Sequence, residues 1–456
     1  MKGNNKTNGS DLIKQAQYKY YDPNTPAAEL IELAKNKELV EQTKDTPFDF
    51  REQIIYHDNM TPEILMELAK DKSFYMQSFH IRKKLVEDPH TPREILIKLA
   101  KDDNVNIRKS VIDHPNTPPE VLAELAQDMS FYVREAVAKS SNTPPSILTE
   151  MAKDADVEIR KHVAENPNTP SEVFAELAKE NSFCVREAVV KSSNTPPSIL
   201  TEMAKDADAE IRKHVAENKN TPPEPLMELA KDKSFYVREA VAQHHKTSPE
   251  ILMELSKDTN WKVLIKVAQN QKTPPKVLAE LAKDENPDIR KYVAGNPNTP
   301  PEVLAALAKD EDKEVRENVA NNPHTPPELL AELAKDEYVD VRLRVAEHPH
   351  TPPELLVELA KDENKYVRWG VAGNINTPPE VLAELVQDKD WGVHNTARKN
   401  TNTPQEVRNT MGWKPLKDRF KDVKERCQVA KTDTTDAPAK TAVSKGDDNP
   451  GGDDNR

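Results

Sequence analysis

The side chains best able to do chemistry recur at fixed intervals. Arg108, Arg134, Arg160, Arg186, Arg212, Arg238, Arg290, Arg316, Arg342 and Arg368 stand 26 residues apart, with one step missing. Evenly spaced guanidinium groups could follow a phosphate backbone. They could equally be neutralised at home, because Asp102, Asp128, Asp154, Asp206, Asp232, Asp284, Asp310, Asp336 and Asp362 recur six residues before most of them. One carboxylate per guanidinium favours a structural Arg/Asp ladder that ties helices together. The histidines, notably His348-Pro349-His350 and His244-His245, fall where neighbouring copies hold Asn or Pro. They read as turn residues, and no His/Cys/Asp cluster has metal-ligand spacing, so no metal is expected. Cys184 stands where nearby copies carry Tyr132 and Tyr236, which marks an incidental substitution rather than a nucleophile. With Cys427 it makes two cysteines, too few for a disulfide framework or an iron–sulfur site. Phosphate loops, nucleophile elbows and zinc helix motifs are all missing. The expectation is no catalytic residue, no cofactor and no enzyme.

The elements that must position these residues follow from a second periodic signal. Thr-Pro starts at Thr91, Thr117, Thr143, Thr169, Thr195, Thr221, Thr273, Thr299, Thr325, Thr351, Thr377 and Thr403, and Thr247 keeps the step as Thr-Ser-Pro. The register therefore holds for twelve periods of 26 residues. Residues 130–170 recur at 182–222 with four differences, so the array grew by copying. In the unit at Thr117, Thr117 and Glu120 fit a capping box around Pro118. Val121, Leu122, Leu125 and Ala126 then share one helical face. Asp128 closes this helix and is placed to cap the next, which carries Val133, Val137 and Ala138. Helices near ten residues are marginal alone, so neighbouring units must bury one another's apolar stripes. Thr25 and Thr61 open irregular copies.

The expected division is a disordered segment over 1–22, a divergent N-terminal cap over 23–90, regular repeats over 91–402, a C-terminal capping helix over 403–427 and a disordered tail over 428–456. A formal charge of −13 works against general nucleic-acid binding. With neither a leader-like apolar run nor a membrane-length one, the expectation is a monomeric cytosolic protein.

The unit Asn298-Thr-Pro-Pro-Glu-Val-Leu-Ala-Ala-Leu-Ala-Lys-Asp, followed by Val315-Arg-Glu-Asn-Val-Ala-Asn-Asn-Pro, resembles the bacterial leucine-rich repeat variant family. The likeness covers roughly 91–402. It implies an all-α, right-handed superhelical solenoid, here of about 14–15 two-helix repeats with a second helix partly 3₁₀ in character. It is also similar to HEAT-type repeats, which mostly bind macromolecules. Some members hold an iron–sulfur centre on a cysteine cluster that this chain lacks, so that cofactor is not expected.

Within each unit, offsets 15, 18, 19 and 22 from the threonine lie opposite the core valines of the second helix at 100° per residue, and they vary from copy to copy. This stripe is the candidate binding surface. Its charge sums to about −3 over the copies from Thr91 to Thr377, which again disfavours nucleic acid. Tyr366 and Trp369, beside Gly370, Gly373 and Gly392, form a candidate anchor with Leu343, extended by Tyr292 and Ile265. Phe131, Phe183, Phe235, Trp261 and Trp391, at offset 14, are expected to be partly buried packing. The leading expectation is a scaffold that holds a protein or peptide partner. The alternative is a HEAT-like enzyme or DNA-repair module.

Overall fold

The computed structural model describes residues 9–36 and 79–410, together with positions 39, 54, 57, 61, 63, 64 and 67. Among the described residues there are 28 helices and no strands. Each repeat is a short helix followed by a longer one, as in Pro119–Leu125 and Phe131–Lys139.

The short helix starts with proline at its first position, where a missing N–H costs nothing. It ends in i→i+3 bonds from Gln127 to Glu124 and from Asp128 to Leu125, the tightening typical of a last turn. The long second helix also closes on i→i+3 bonds, as from Asn166 to Val163 and from His244 to Val241. The second runs nine residues as an α-helix. It is entered through an Asn or Asp cap where the sequence offers one: Asn104, Asp156, Asp208, Asn260, Asn286, Asp312, Asn364 and Asp390 each accept an N–H of the first turn.

The threonine does not form the expected capping box. Thr117 lies one residue before the cap position, which Pro118 occupies without a side-chain bond. Its hydroxyl turns back and donates to the Val111 carbonyl, at the end of the preceding long helix. Thr143 does the same to Val137 at 2.6 Å, and Thr377 to Val371 at 2.6 Å. A helix leaves its last carbonyls without intrahelical partners, and here the hydroxyl six residues on fills that need. Asp128 likewise caps no helix; it accepts the N–H of Ser130 in the turn before the long helix.

Val121, Leu122, Leu125, Val133, Val137 and Ala138 of this repeat are at most 2% exposed. Burying a Leu or Val fully stabilises by roughly 1.5–3 kcal/mol, which supplies what helices of seven and nine residues lack alone.

The chain divides into two compact units, Met1–Val303 and Leu304–Arg456. In each, long helices pack extensively on the long helices of adjacent repeats: Val157–Glu165 on Phe183–Lys191 in the first unit, Val339–Glu347 on Lys365–Gly373 in the second. Short helices touch one another far less. The long helices thus form one continuous wall of each unit.

Residues Gly9–Tyr21 form a helix where the sequence suggested disorder over 1–22. Ala16 is buried within it, and the Tyr20 ring meets His57 edge-on. That apolar face covers the start of the array and is too short a signal to stand out in a polar segment. Of the expected cap over 403–427, Gln405–Thr410 is helical. Residues 411–427 and the tail lie outside the described residues.

Candidate partner-binding surface

The long helix presents two faces besides its core, and their side chains behave differently. On one lies the arginine at offset 17. Arg134 Nε donates to Asp154 Oδ2 at 2.8 Å, and its Nη1 donates to the main-chain carbonyl of Asp128 at 3.0 Å. The carboxylate partner is thus twenty residues ahead, in the next repeat. The aspartate six residues back contributes its carbonyl instead. The same fork recurs from Arg108 to Asp128, Arg186 to Asp206, Arg212 to Asp232, Arg238 to Asp258, Arg316 to Asp336, Arg342 to Asp362 and Arg368 to Asp388. Glu180 takes the aspartate's place for Arg160. Arg290 is buried and donates to the Asp284 and Glu285 carbonyls.

Burial pushes the carboxyls of Asp128, Asp232, Asp258, Asp336, Asp362 and Asp388 up. The arginine hydrogen bond, a main-chain N–H and the arginine charge outweigh it, so all six lie below the usual carboxylate range. The guanidinium groups have both forks occupied, which leaves little with which to grip a phosphate.

Two further ladders escaped the sequence reading. Asn166 Nδ2 donates to the carbonyls of Ala138 and Ser140 in the preceding repeat at 2.6 and 3.0 Å, and Asn168 Nδ2 donates to Ser141 and Thr143 at 2.7 and 3.1 Å. Asn374 and Asn376 repeat this in the second unit. The signal was available: Asn-x-Asn-Thr recurs at the same period as the arginines. Histidine fills the first asparagine position at His114, His244 and His348. Each bonds through Nε2 to a carbonyl one repeat back and through Nδ1 to the N–H two residues on. The turn histidines are therefore buried clamps between repeats. No described group of three or more His, Cys, Asp or Glu could hold a metal ion.

The variable stripe runs along the wall of long helices. In the duplicated segment it neutralises itself. Lys139 meets Glu135 at 2.5 Å and Lys191 meets Glu187 at 2.5 Å. His162 lies between Glu135 and Glu165 at 3.5 and 2.8 Å, and His214 repeats this with Glu187 and Glu217. Where Cys184 replaces a tyrosine, an open cavity of about 570 Å³ is left, lined also by Lys161, Glu187 and Lys191.

On the stripe of the second unit, Tyr366 is 56% and Trp369 43% exposed, one turn apart on the same helix, and Leu343 of the preceding repeat is half-buried. Gly370 packs closely on that preceding repeat. A Cβ on Gly370 would meet Ala346 Cβ and Leu343 Cδ1 at 3.1 Å, and one on Gly392 would lie 3.8 Å from Trp369 Cδ1. The indole therefore lies along the next repeat at Gly392, with a large part of its surface open. Lys365 sits over the Tyr366 ring, 5.3 Å from its centroid. Ile265 and Tyr292 are both half-buried and belong to the first unit. The offset-14 aromatics are more open than expected. Trp261 is 49% and Trp391 54% exposed, whereas Phe131 and Phe235 are half-buried. Offset 14 opens the long helix at the edge of the wall, where no neighbouring helix covers a ring as large as indole.

Tandem helix pairs, joined by ladders at one period and varied along one stripe, define a helical-repeat protein. The family description Leucine Rich Repeat Variant domain matches residues 265–321 and 316–373. Over residues 265–373 the repeats are similar to the leucine-rich repeat variant domain. A solved leucine-rich repeat variant is 27% identical, covering 47% of this chain and 85% of its own at a TM-score of 0.39. Importin beta is 10% identical over 86% of this chain and 68% of its own, at a TM-score of 0.36. Kap121p bound to Nup53p is 12% identical over 81% and 48%, at 0.32. A comparison with curated proteins finds no match.

Proposed function

We propose that this chain is a non-catalytic scaffold that holds a protein or peptide partner against the wall of its long helices, with Tyr366 and Trp369 as an anchor. One observation carries the reading: two large aromatics, Tyr366 and Trp369, stand exposed one helical turn apart on the stripe that varies. Exposed aromatics in a shallow, water-excluding setting supply most of the energy at protein interfaces. The alternative of a nucleic-acid module needs free cations along the repeats, and the arginine ladder is engaged by carboxylates and carbonyls. The test is affinity purification with wild type and Trp369→Ala, the variant checked by circular dichroism. The scaffold reading expects specific partners lost or weakened at least tenfold. A folded variant that keeps every partner refutes the anchor.

A further inference from the structure

The variable stripe of the first unit changes character at one repeat. Over residues 131–217 its lysines and histidines sit on glutamates. The helix Trp261–Gln269 instead presents Lys262, Ile265, Lys266 and Gln269, a charge of +2 with no acid. Among the described residues, neither lysine has a carboxylate within 4.0 Å. Glu239 stands where Glu135 takes His162, yet Lys266 makes no such pair. Lys262 lies between two rings from successive repeats, 5.8 Å from Phe235 and 5.7 Å from Trp261, and Tyr236, 49% exposed, leans on Phe235 with centroids 4.0 Å apart. The Arg/Asp ladder is interrupted in the same helix. Leu264 stands in the arginine position and is buried.

We propose that this patch is a second docking point, for an acidic peptide segment: two carboxylates about one helical turn apart, flanking an aliphatic or aromatic side chain. The proposal rests on the reading of the variable stripe as the binding surface and adds the partner's chemistry. Lys262 and Lys266 are four residues apart and so lie on one face, one turn from each other. Both are half-buried, which strengthens their pull on a carboxylate relative to fully solvated lysines. Ile265 and the open face of Trp261 lie beside them and offer apolar area. Charge complementarity selects the occupant. Two lysines are too few to neutralise a nucleic-acid backbone. A short carboxylate pair needs only two.

The experiment measures fluorescence anisotropy of a fluorescein-labelled peptide, (Glu-Ser-Leu-Asp)₃, with the full chain at low salt. Binding to wild type is expected, weakened as salt rises. The double variant Lys262→Glu with Lys266→Glu should bind at least tenfold more weakly, the pair of Lys→Arg changes should retain binding, and Trp369→Ala should bind as wild type. The inference is overturned by no binding of the acidic peptide, by equal binding of the charge-inverted (Lys-Ser-Leu-Arg)₃, by tighter binding of a short oligothymidylate, or by a folded double variant that binds as wild type. Each of these leaves the Trp369-dependent partners in place. Loss of those partners' dependence on Trp369 removes the anchor instead, so the two failures are distinct.

Discussion

The long helices Phe131–Lys139 and Trp261–Gln269 share one scaffold and differ in what they show to solvent. Val133, Val137 and Ala138 match Val263, Val267 and Ala268 in position and in complete burial. Both helices end against a hydroxyl from the following threonine, and both receive an amide from the asparagine of the next repeat, Asn166 or Asn296. The wall side chains, offset 17 and the residues that open the helix, Ser130-Phe131 against Asn260-Trp261, diverge. In the first helix Glu135 is taken by Lys139 and His162, and Arg134 by Asp154. In the second the lysines stay unpaired and leucine replaces the arginine. Stability and surface chemistry therefore reside at different offsets, and one can vary while the other is copied.

The largest test of that separation breaks one of the drier pairs of the ladder. Arg316 and Asp336 have side chains 10% and 8% exposed. Arg316→Leu strands a buried carboxylate and should cost on the order of 3 kcal/mol. Urea unfolding, with hydrogen exchange over 313–347, measures it. An unchanged midpoint would show that repeats tolerate loss of this fork anywhere.

Acid offers the next. Burial pushes His244 down to about 4, and His348 is lowered for the same reason. Each stays neutral when folded because Nδ1 accepts an N–H, while the unfolded chain takes up the proton near 6.5. Their contribution is complete above about 6.5 and is lost as pH falls toward the folded value, by at most about 1.4 kcal/mol per unit for each. The ladder aspartates, held low, contribute above their ordinary value and add a further loss below about pH 4. His244→Asn keeps the clamp and removes one titrating group. A flatter pH–stability curve between 6.5 and 4 is the expected result.

Smaller effects sharpen the contrast. Thr247→Val keeps the shape of a fully buried side chain but removes its 2.5 Å bond to Val241. A loss of about 1–2 kcal/mol in urea unfolding is expected. Leu264→Arg should rebuild the missing fork onto Asp284 and raise stability by less than about 1 kcal/mol. A destabilised variant would mean that the second helix has repacked around leucine.

The 26-residue period was legible because copies align with themselves. It fixed the helix pairs, the valine and leucine core and the equivalence of all ladder positions. Partners across the repeat interface were not legible. Thr-x-x-Glu fits a capping box as well as a staple onto the previous helix, and which forms depends on how the chain re-enters the stack. Arg134 has an aspartate both six residues back and twenty ahead, and only packing decides which end of which residue it meets. The candidate anchor divides the same way. Aromatic residues on a variable face were readable in the sequence, but how far Tyr366 and Trp369 stand exposed came from the tertiary structure. Local periodicity is written in the order of residues, whereas a hydrogen bond between repeats needs atoms placed within about 3 Å, and only the stacked helices place them there.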